Sequence, residues 1–243
     1  YLPKNKKQAW ILEEHNVEYQ LAWKRFLNFQ EIKKTKVYLL IEFVLTYAYE
    51  RKFLRKFDHI FSISEFDKLA LEKKFYLNNI SVQAPVYIDN GEKRSLIEKH
   101  KKEILFIGDM TWMPNIIAVK WFIDKIFPLI LRLEGSTTLI IVGKTENDFK
   151  HQYDDHKNIR FLGFQMNISE YFKKASLFVL PFKVGGGVRI KALTAFSHSL
   201  AIVTTKLGIQ GIKGTNYRDF LIAENEKQFA KACLLLIRNE KIN

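Results

Sequence analysis

The sequence contains little cysteine and no long apolar run. Cys233 is the only cysteine among 243 residues, and one thiol cannot form an internal disulfide, so we expect a reducing compartment. The longest apolar stretch, residues 37–49, is interrupted by Glu42 and is shorter than the roughly 20 residues that cross a bilayer. These absences argue against a disulfide-rich secreted domain and a membrane-spanning protein, and they predict a cytoplasmic one.

Metal-ligand patterns are also missing from the sequence. The six histidines are scattered along the chain, and the acidic residues form no paired set with the spacing of a metal site. We therefore expect neither a bound metal nor a cofactor.

Acidic residues are outnumbered by basic ones, 26 against 39, which gives a net charge of +13. Such an excess attracts the phosphate of nucleic acid, anionic lipid or a nucleotide, although a solvated lysine-rich surface explains many of these residues equally well.

The charge is densest in residues 24–56, where nine basic residues face three acidic ones. Because residues 23–57 are also rich in aromatic side chains, they suggest peripheral contact with an anionic inner membrane face. The alternative is an ordinary core helix with a basic solvated side. Nucleic-acid binding would rest on charge alone, so we expect no such partner.

The second half of the chain alternates between strand and helix patterns. Helical spacing covers residues 115–133, where Pro128 is expected to bend or end the helix, and residues 226–239. Asn167 and Glu170 form an N-x-x-E pattern that predicts another helix start. This alternation predicts an α/β fold with a parallel sheet covered on both faces. The predicted strands are short apolar runs at residues 103–109, 137–143, 158–163, 177–182, 200–205 and 220–223.

The first half shows a thinner version of the same pattern. Strands are predicted at residues 9–13, 59–64 and, weakly, 82–87, with helices at 17–29 and 37–57. The charged stretch 88–102 is the best linker candidate, so we place a domain boundary near residue 98. The prediction is two α/β domains with parallel sheets, 1–98 and 99–243.

A glycine-rich turn between a strand and a helix indicates a binding site. Gly185, Gly186 and Gly187 follow the predicted strand 177–182, and Arg189 and Lys191 come just after them. Glycines allow a ligand to approach the backbone, and the start of a helix attracts anions. Two cations in that position oppose the helix dipole unless a diphosphate compensates them. The plainer alternative is a tight turn with two solvated bases.

Segment 181–205, PFKVGGGVRIKALTAFSHSLAIVTT, resembles the donor-site motif of family 4 glycosyltransferases with a GT-B fold, in the branch with a glycine-rich R-I-K element. The order and spacing of the other elements agree with that resemblance, which covers most of the chain. These elements are GDMTWMPN from Gly108 with Trp121-Phe122 and Pro128, the strand LIIVG, the FLG turn, HNVE from His15, and Ser62-Ile63-Ser64. The resemblance implies two Rossmann-like domains, an incomplete N-terminal domain, 1–98, and a C-terminal domain, 99–243.

The resemblance implies roles for particular residues. Arg189 and Lys191 would hold the donor diphosphate and stabilise the leaving nucleotide, and His15 would reach toward the donor sugar. The alternative for His15 is a surface or capping histidine at a strand end. The remaining implied donor-binding residues are Gly108, Gly163, Phe164, Gly185, Gly186, Gly187 and Thr194. The implied reaction moves a sugar from a nucleotide diphosphate sugar to a cell-surface glycan or lipid-linked precursor, with retention of configuration and without a metal.

The sequence also departs from the family pattern. Thr194 stands where a glutamate usually accepts hydrogen bonds from both ribose hydroxyls, and a threonine hydroxyl cannot accept in the same bidentate way. The family's earlier acceptor-domain strands and its final crossing helix have no counterpart, so we expect a chain that is truncated at both ends. Two alternatives therefore stay open: a non-catalytic remnant or accessory subunit, and a GT-B sugar-nucleotide epimerase, which would need carboxylates for proton transfer.

Overall fold

The computed structural model describes residues 8–28, 33–83 and 102–239. By its internal contacts the chain divides into two compact units. The N-terminal unit comprises Tyr1–Val86 with two later segments, Val184–Val188 and Gln210–Ile212. The C-terminal unit comprises Tyr87–Lys183, Arg189–Ile209 and Lys213–Asn243. The predicted boundary near residue 98 lies outside the described residues.

The N-terminal unit contains a parallel three-stranded sheet in the order β1-β2-β3. Its core consists of apolar side chains from strands and helices together, and Ile60 of the central strand is fully buried in a cluster that includes Leu71 and Ile80. The described strands are β1 (Ile11–Glu14), β2 (His59–Ser62) and β3 (Ile80–Val82), and the helices are α1 (Glu18–Asn28), α2 (Lys33–Leu54) and α3 (Glu65–Phe75).

Polar caps determine where two of these helices begin. The carboxylate of Glu50 accepts hydrogen bonds from the backbone N–H groups of Glu18 and Tyr19, both at 2.8 Å, and so caps α1 from α2. The hydroxyl of Ser64 accepts from the N–H of Asp67 at the start of α3. Both carboxylate and hydroxyl satisfy amide groups that have no partner within the first turn.

Two sequence predictions for this unit need correction. The helix α3 was not predicted, because its apolar residues do not form one stripe and only the Ser64 cap signals it. The third strand occupies Ile80–Val82 instead of beginning at Val82, since Ile80 supplies the side chain that packs on the core. Residues 84–87 of that predicted strand lie outside the described residues.

The C-terminal unit contains a parallel six-stranded sheet in the order β6-β5-β4-β7-β8-β9. All six predicted strands of this half are confirmed. The strands are β4 (Glu103–Ile107), β5 (Thr138–Val142), β6 (Ile159–Phe161), β7 (Leu177–Leu180), β8 (Ile202–Thr204) and β9 (Leu221–Ile222). The helices are α4 (Met113–Trp121), α5 (Phe127–Leu131), α6 (Asn147–His151), α7 (Ser169–Lys174), α8 (Ile190–Ser197) and α9 (Glu226–Arg238).

The helical segment around Pro128 differs from the prediction in detail. A π-helical turn, Phe122–Ile126, joins α4 to α5, and Pro128 lies in the first turn of α5. A proline needs no N–H partner in a first turn, and the π-turn before it accommodates the break in the hydrogen-bond ladder. The short helix α6 was not predicted. At α7, Asn167 accepts from the N–H of Ser169, so the predicted polar start is present but the helix begins at Ser169.

The strand order defines where a ligand can enter the C-terminal unit. From β4 the chain moves outward to β5 and β6, and then returns to place β7 on the other side of β4. Loops leaving β4 and β7 therefore diverge at their carboxyl ends and leave a crevice, the usual ligand position in open parallel sheets.

No helix within the described ranges is both long enough and apolar enough to cross a membrane. The same residues contain no cluster of three His, Cys, Asp or Glu side chains that could hold a metal ion.

Candidate functional site

The loop after β4 is a tight turn built around Gly108. Asp109 accepts hydrogen bonds through Oδ1 from the N–H and the hydroxyl of Thr111, at 2.8 and 2.7 Å. The side-chain amide of Asn115, at the start of α4, donates to the carbonyl of Asp109 at 2.7 Å. A Cβ at Gly108 would lie 2.9 Å from Cγ of Asn115, so any other residue would force that amide to shift.

Backbone hydrogen bonds connect the carboxyl ends of three neighbouring strands. The N–H of Gly108 donates to the carbonyl of Val142 at 2.9 Å, and the N–H of Gly143 donates to the carbonyl of Gly163 at 2.8 Å. Gly143 has a φ of +137°, and a Cβ there would come within 1.9 Å of the carbonyl oxygen of Gly108. The turns after β4, β5 and β6 therefore form one rigid edge.

Lys191 extends its ammonium group to this edge from the first turn of α8. Its Nζ donates to the carbonyl oxygen of Ile107, the last residue of β4, at 2.7 Å, and to Oδ1 of Asn115 at 3.4 Å. Burial, and to a smaller extent the charge of Arg189, lowers the pKa of Lys191 from 10.5 to about 7. The ammonium is thus fixed at the crevice between β4 and β7 and only partly solvated.

Arg189 lies at the N-cap of α8 and is 5% exposed. Its guanidinium lies 4.4 Å from the ring centroid of Phe182 and 5.7 Å from that of Trp112. The Phe182 ring is also 5.4 Å from Nζ of Lys191, so one aromatic ring lies near both cations. Cation–π attraction offsets part of their mutual repulsion, and burial lowers the pKa of Arg189 to about 10.

The predicted Thr194 lies one turn along α8 from Lys191, on the same side of the helix. Its hydroxyl donates to the carbonyl of Ile190 at 3.3 Å, a bond that leaves the oxygen lone pairs available to a ligand. Gly163 follows β6 with a φ of +67°, and Phe164 beside it is 75% exposed. An exposed aromatic ring at a strand end offers a stacking surface to a flat ligand.

The predicted residues Gly185, Gly186 and Gly187 belong by their contacts to the N-terminal unit. Gly185 and Gly187 have φ values of +108° and +76°, and the carbonyl of Gly185 accepts from Nζ of Lys24 at 2.9 Å. A Cβ at Gly187 would lie 2.6 Å from Oδ1 of Asn16 and 3.6 Å from the carbonyl oxygen of His15. The glycines are therefore required both for backbone conformation and for close packing.

His15 lies directly after β1 with a mostly exposed imidazole. Its Nε2 is 3.2 Å from Oε1 of Glu13, a contact that becomes an ion pair when the ring is protonated. The structure thus brings His15 beside the glycine segment. The predicted contacts of His15 and the glycines with a donor stay predictions.

In the C-terminal unit the structure brings together six predicted residues at one sheet edge: Gly108, Gly163, Phe164, Arg189, Lys191 and Thr194. Sequence reasoning did not select Asn115 or Phe182 as functional residues, although both lie within quoted motifs. Asn115 positions Lys191 and the Gly108 turn, and Phe182 supports both cations. Two partly buried cations fixed at the crevice of a parallel sheet are suited to binding a multiply charged anion.

Comparison with known proteins identifies relatives with this fold. A Klebsiella pneumoniae protein described as an uncharacterized 44.6 kDa protein in the cps region is 26% identical over 240 residues, 94% of this chain and 60% of the relative. A crystal structure of an S. aureus TarM mutant with fondaparinux, α-GlcNAc-glycerol and UDP has a TM-score of 0.68 at 15% identity, covering 82% of this chain and 40% of TarM. Anabaena HepE in complex with UDP and glucose has a TM-score of 0.67 at 11% identity, covering 97% of this chain and 64% of HepE.

The sequence profile of the family described as glycosyl transferases group 1 matches residues 101–239, which is more than half of the chain. The site residues of the C-terminal unit fall within that match, and the solved relatives confirm the predicted GT-B-type fold. The chain spans about 60% of the length of its curated relative. It belongs to the group 1 glycosyltransferase family.

Proposed function

We propose that this protein transfers a sugar from a nucleotide diphosphate sugar to a cell-surface glycan or lipid-linked precursor, with retention of configuration. The diphosphate would bind at the carboxyl ends of β4 and β7. The observation that carries the proposal is the position of Lys191, which holds its ammonium against the last carbonyl of β4 beside the guanidinium of Arg189.

The two cations would contribute most when the donor bond breaks. Negative charge grows on the diphosphate as the bond from its oxygen to the sugar lengthens, and charges already in place stabilise that state without reorganisation. A diphosphate also favours the protonated form of Lys191, whose pKa is about 7 in the free protein. Binding near neutral pH would therefore take up a proton and complete the positive charge of the site.

The comparisons support uridine nucleotides as the first donors to test. UDP is present in the complexes of TarM and HepE, and glucose accompanies it in HepE. The exposed ring of Phe164 would stack on the base, and Thr194 would meet the ribose. The cps-region relative supports an acceptor among cell-envelope polysaccharides.

Calorimetric titration of UDP and UDP-glucose tests the diphosphate site. Lys191→Met gives a side chain of similar length and removes the charge, so affinity should fall by roughly 10- to 150-fold, the equivalent of about 1.5–3 kcal/mol for a charge-assisted hydrogen bond. Lys231→Met is the matched control, because Lys231 is an exposed lysine on α9 of the same unit. Equal affinity of wild type and Lys191→Met would place the diphosphate elsewhere.

Product analysis separates the proposed transfer from its alternatives. A transferase with labelled UDP-glucose releases UDP, by transfer or slow hydrolysis. An epimerase changes the sugar and keeps the nucleotide attached, and a non-catalytic relative binds the donor and returns it unchanged. The assay uses the full-length protein, because this chain spans only 60% of the length of its curated relative.

Three properties of this protein stay predictions. They are peripheral contact with an anionic membrane through residues 23–57, a cytoplasmic location, and independence from metals and cofactors. Vesicle co-sedimentation at low and high salt measures the first of these, since exposed charges are screened beyond about 8–10 Å at physiological ionic strength.

A further inference from the structure

His198 caps the end of α8 with an imidazole whose two nitrogens are both hydrogen-bonded. The residue is 6% exposed. Its Nδ1 lies 2.9 Å from the carbonyl oxygen of Thr194, and its Nε2 lies 2.6 Å from Oγ of Ser169. Because a carbonyl oxygen only accepts, Nδ1 carries the proton of the neutral ring and Nε2 accepts from the hydroxyl of Ser169. A buried polar side chain with both nitrogens satisfied has a fixed orientation.

This imidazole connects α8 to α7. Ser169 is the first residue of α7. One turn later, the fully buried ring of Phe172 stacks on the imidazole, with ring centroids 5.3 Å apart and planes inclined by 24°. Ser169 and His198 are 29 residues apart in the sequence, so their contact joins two elements that the chain does not hold together locally. We call this hydrogen bond the Ser169–His198 bridge.

The loop between β6 and α7 is held at both ends. At its start, the carbonyl of Gly163 accepts from the N–H of Gly143 at the rigid sheet edge, at 2.8 Å. At its end, the Ser169–His198 bridge fastens it to α8. Phe164 lies between these two anchors with a ring that is 75% exposed. A loop anchored at both ends presents this ring in fewer orientations, so less entropy is lost when a ligand binds to it.

We propose that the Ser169–His198 bridge positions the nucleoside of the donor, because it keeps the ring of Phe164 at a fixed spacing from Thr194. The inference rests on the proposed function, in which these two residues meet the base and the ribose. Base and ribose are joined by a single bond, so both contacts form with one ligand only if the loop and α8 keep that spacing. His198 bonds to the carbonyl of Thr194 on one side and holds the end of the Phe164 loop on the other.

The bridge acts on the nucleoside and not on the diphosphate. Arg189 and Lys191, which would hold the diphosphate, lie at the start of α8, and Lys191 is fixed to β4 through the carbonyl of Ile107. His198 caps the opposite end of that helix. Loss of the bridge should therefore weaken the binding of a nucleoside diphosphate and leave unchanged the binding of pyrophosphate, which has no nucleoside.

Calorimetric titration of the full-length protein with UDP and with pyrophosphate tests the proposal. Ser169→Ala removes the hydroxyl of the bridge, so affinity for UDP should fall about 3- to 10-fold, while affinity for pyrophosphate should not change. Ser197→Ala is the matched control, because that hydroxyl donates to the same carbonyl of Thr194 at 2.7 Å from within α8. It should leave both affinities as they are in wild type.

Two amide substitutions of His198 separate the bridge from the space that the ring fills. The amide of His198→Gln reaches the position of Nε2 and accepts from Ser169, so affinity for UDP should stay close to that of wild type. The shorter His198→Asn reaches only the position of Nδ1, so it should match Ser169→Ala. In a Phe164→Ala background, Ser169→Ala should have no further effect on UDP, because the ring that the bridge positions is gone.

Equal losses of UDP and pyrophosphate affinity in Ser169→Ala would show a general structural defect and overturn the proposal. It would also be overturned by unchanged UDP affinity in Ser169→Ala, or by a loss as large in the Phe164→Ala background as in wild type. The diphosphate site fails by a different result, which is equal pyrophosphate affinity in wild type and Lys191→Met. A wild-type protein that does not bind UDP would overturn both.

Discussion

Replacing Lys191 with methionine should stabilise the unliganded protein while weakening donor binding. In the folded protein the ammonium is buried beside Arg189, and its pKa falls from 10.5 to about 7. Keeping that lysine charged in the folded state is therefore unfavourable relative to the unfolded chain. Methionine has a similar length and no charge, so it removes the penalty and retains the packing of the stem.

The magnitude follows from the pKa of Lys191. Each pKa unit is worth about 1.4 kcal/mol, so a fall from 10.5 to about 7 corresponds to a penalty of about 4–5 kcal/mol at pH 7. Methionine cannot donate to the carbonyl of Ile107, and an acceptor left without its donor costs about 1–3 kcal/mol. The net gain in unfolding free energy should be about 1–4 kcal/mol at pH 7.

The effect has a defined pH dependence. The pKa of Lys191 is lower in the folded protein than in the unfolded chain. The wild-type protein therefore loses stability to this lysine in full below pH 7, and the loss disappears as the pH rises toward 10.5. At pH 9 it should have fallen to about 2 kcal/mol, which the lost hydrogen bond balances. The advantage of Lys191→Met should therefore be near zero at pH 9.

Urea denaturation followed by tryptophan fluorescence measures this, with Trp112 and Trp121 reporting on the C-terminal unit. Wild type, Lys191→Met and the exposed control Lys231→Met should be compared at pH 7 and pH 9. A variant that is less stable than wild type at pH 7, or a gain of the same size at both pH values, would refute the argument from burial. Nucleotide affinity on the same samples shows whether stability and binding move in opposite directions.

Four further substitutions test other parts of the structure. Gly108→Ala should lower the unfolding free energy by about 1–3 kcal/mol in thermal unfolding, because its Cβ would lie 2.9 Å from Asn115; Gly163→Ala, with open space but a φ of +67°, should cost only about 1 kcal/mol. Thr194→Glu should tighten nucleotide binding about tenfold in calorimetry by accepting from the ribose hydroxyls, and unchanged or weaker binding would place the ribose away from α8. Burial and the neighbouring Glu50 raise the pKa of Glu14 from 4.5 to about 7, so Glu14→Gln should add about 3 kcal/mol of stability at pH 8 and none at pH 4; a gain at both pH values would contradict that cause.

The inner strands β4, β5, β7 and β8 were predictable because each is a short, largely buried apolar run, and burial on both faces leaves a continuous hydrophobic pattern in the sequence. The edge strand β6 carries the exposed Arg160 between two half-buried apolar residues. The helix α9 was also predictable, because its apolar residues recur with helical spacing and its Asn225 cap is visible in the chain. The helix α3 was missed, since its start depends on a side-chain cap and its apolar residues follow no single stripe.

The sequence by itself determined the chemical types at the site: a glycine turn followed by two cations at the start of a helix, and a threonine one turn later. Tertiary structure alone decided how these groups act. Lys191 and the carbonyl that holds its ammonium are 84 residues apart, and the β4–β7 adjacency that joins them exists only in the folded sheet. Burial beside Arg189 then lowers the pKa of Lys191 to about 7. No local pattern contains that information, because desolvation depends on every chain segment that excludes water from the group.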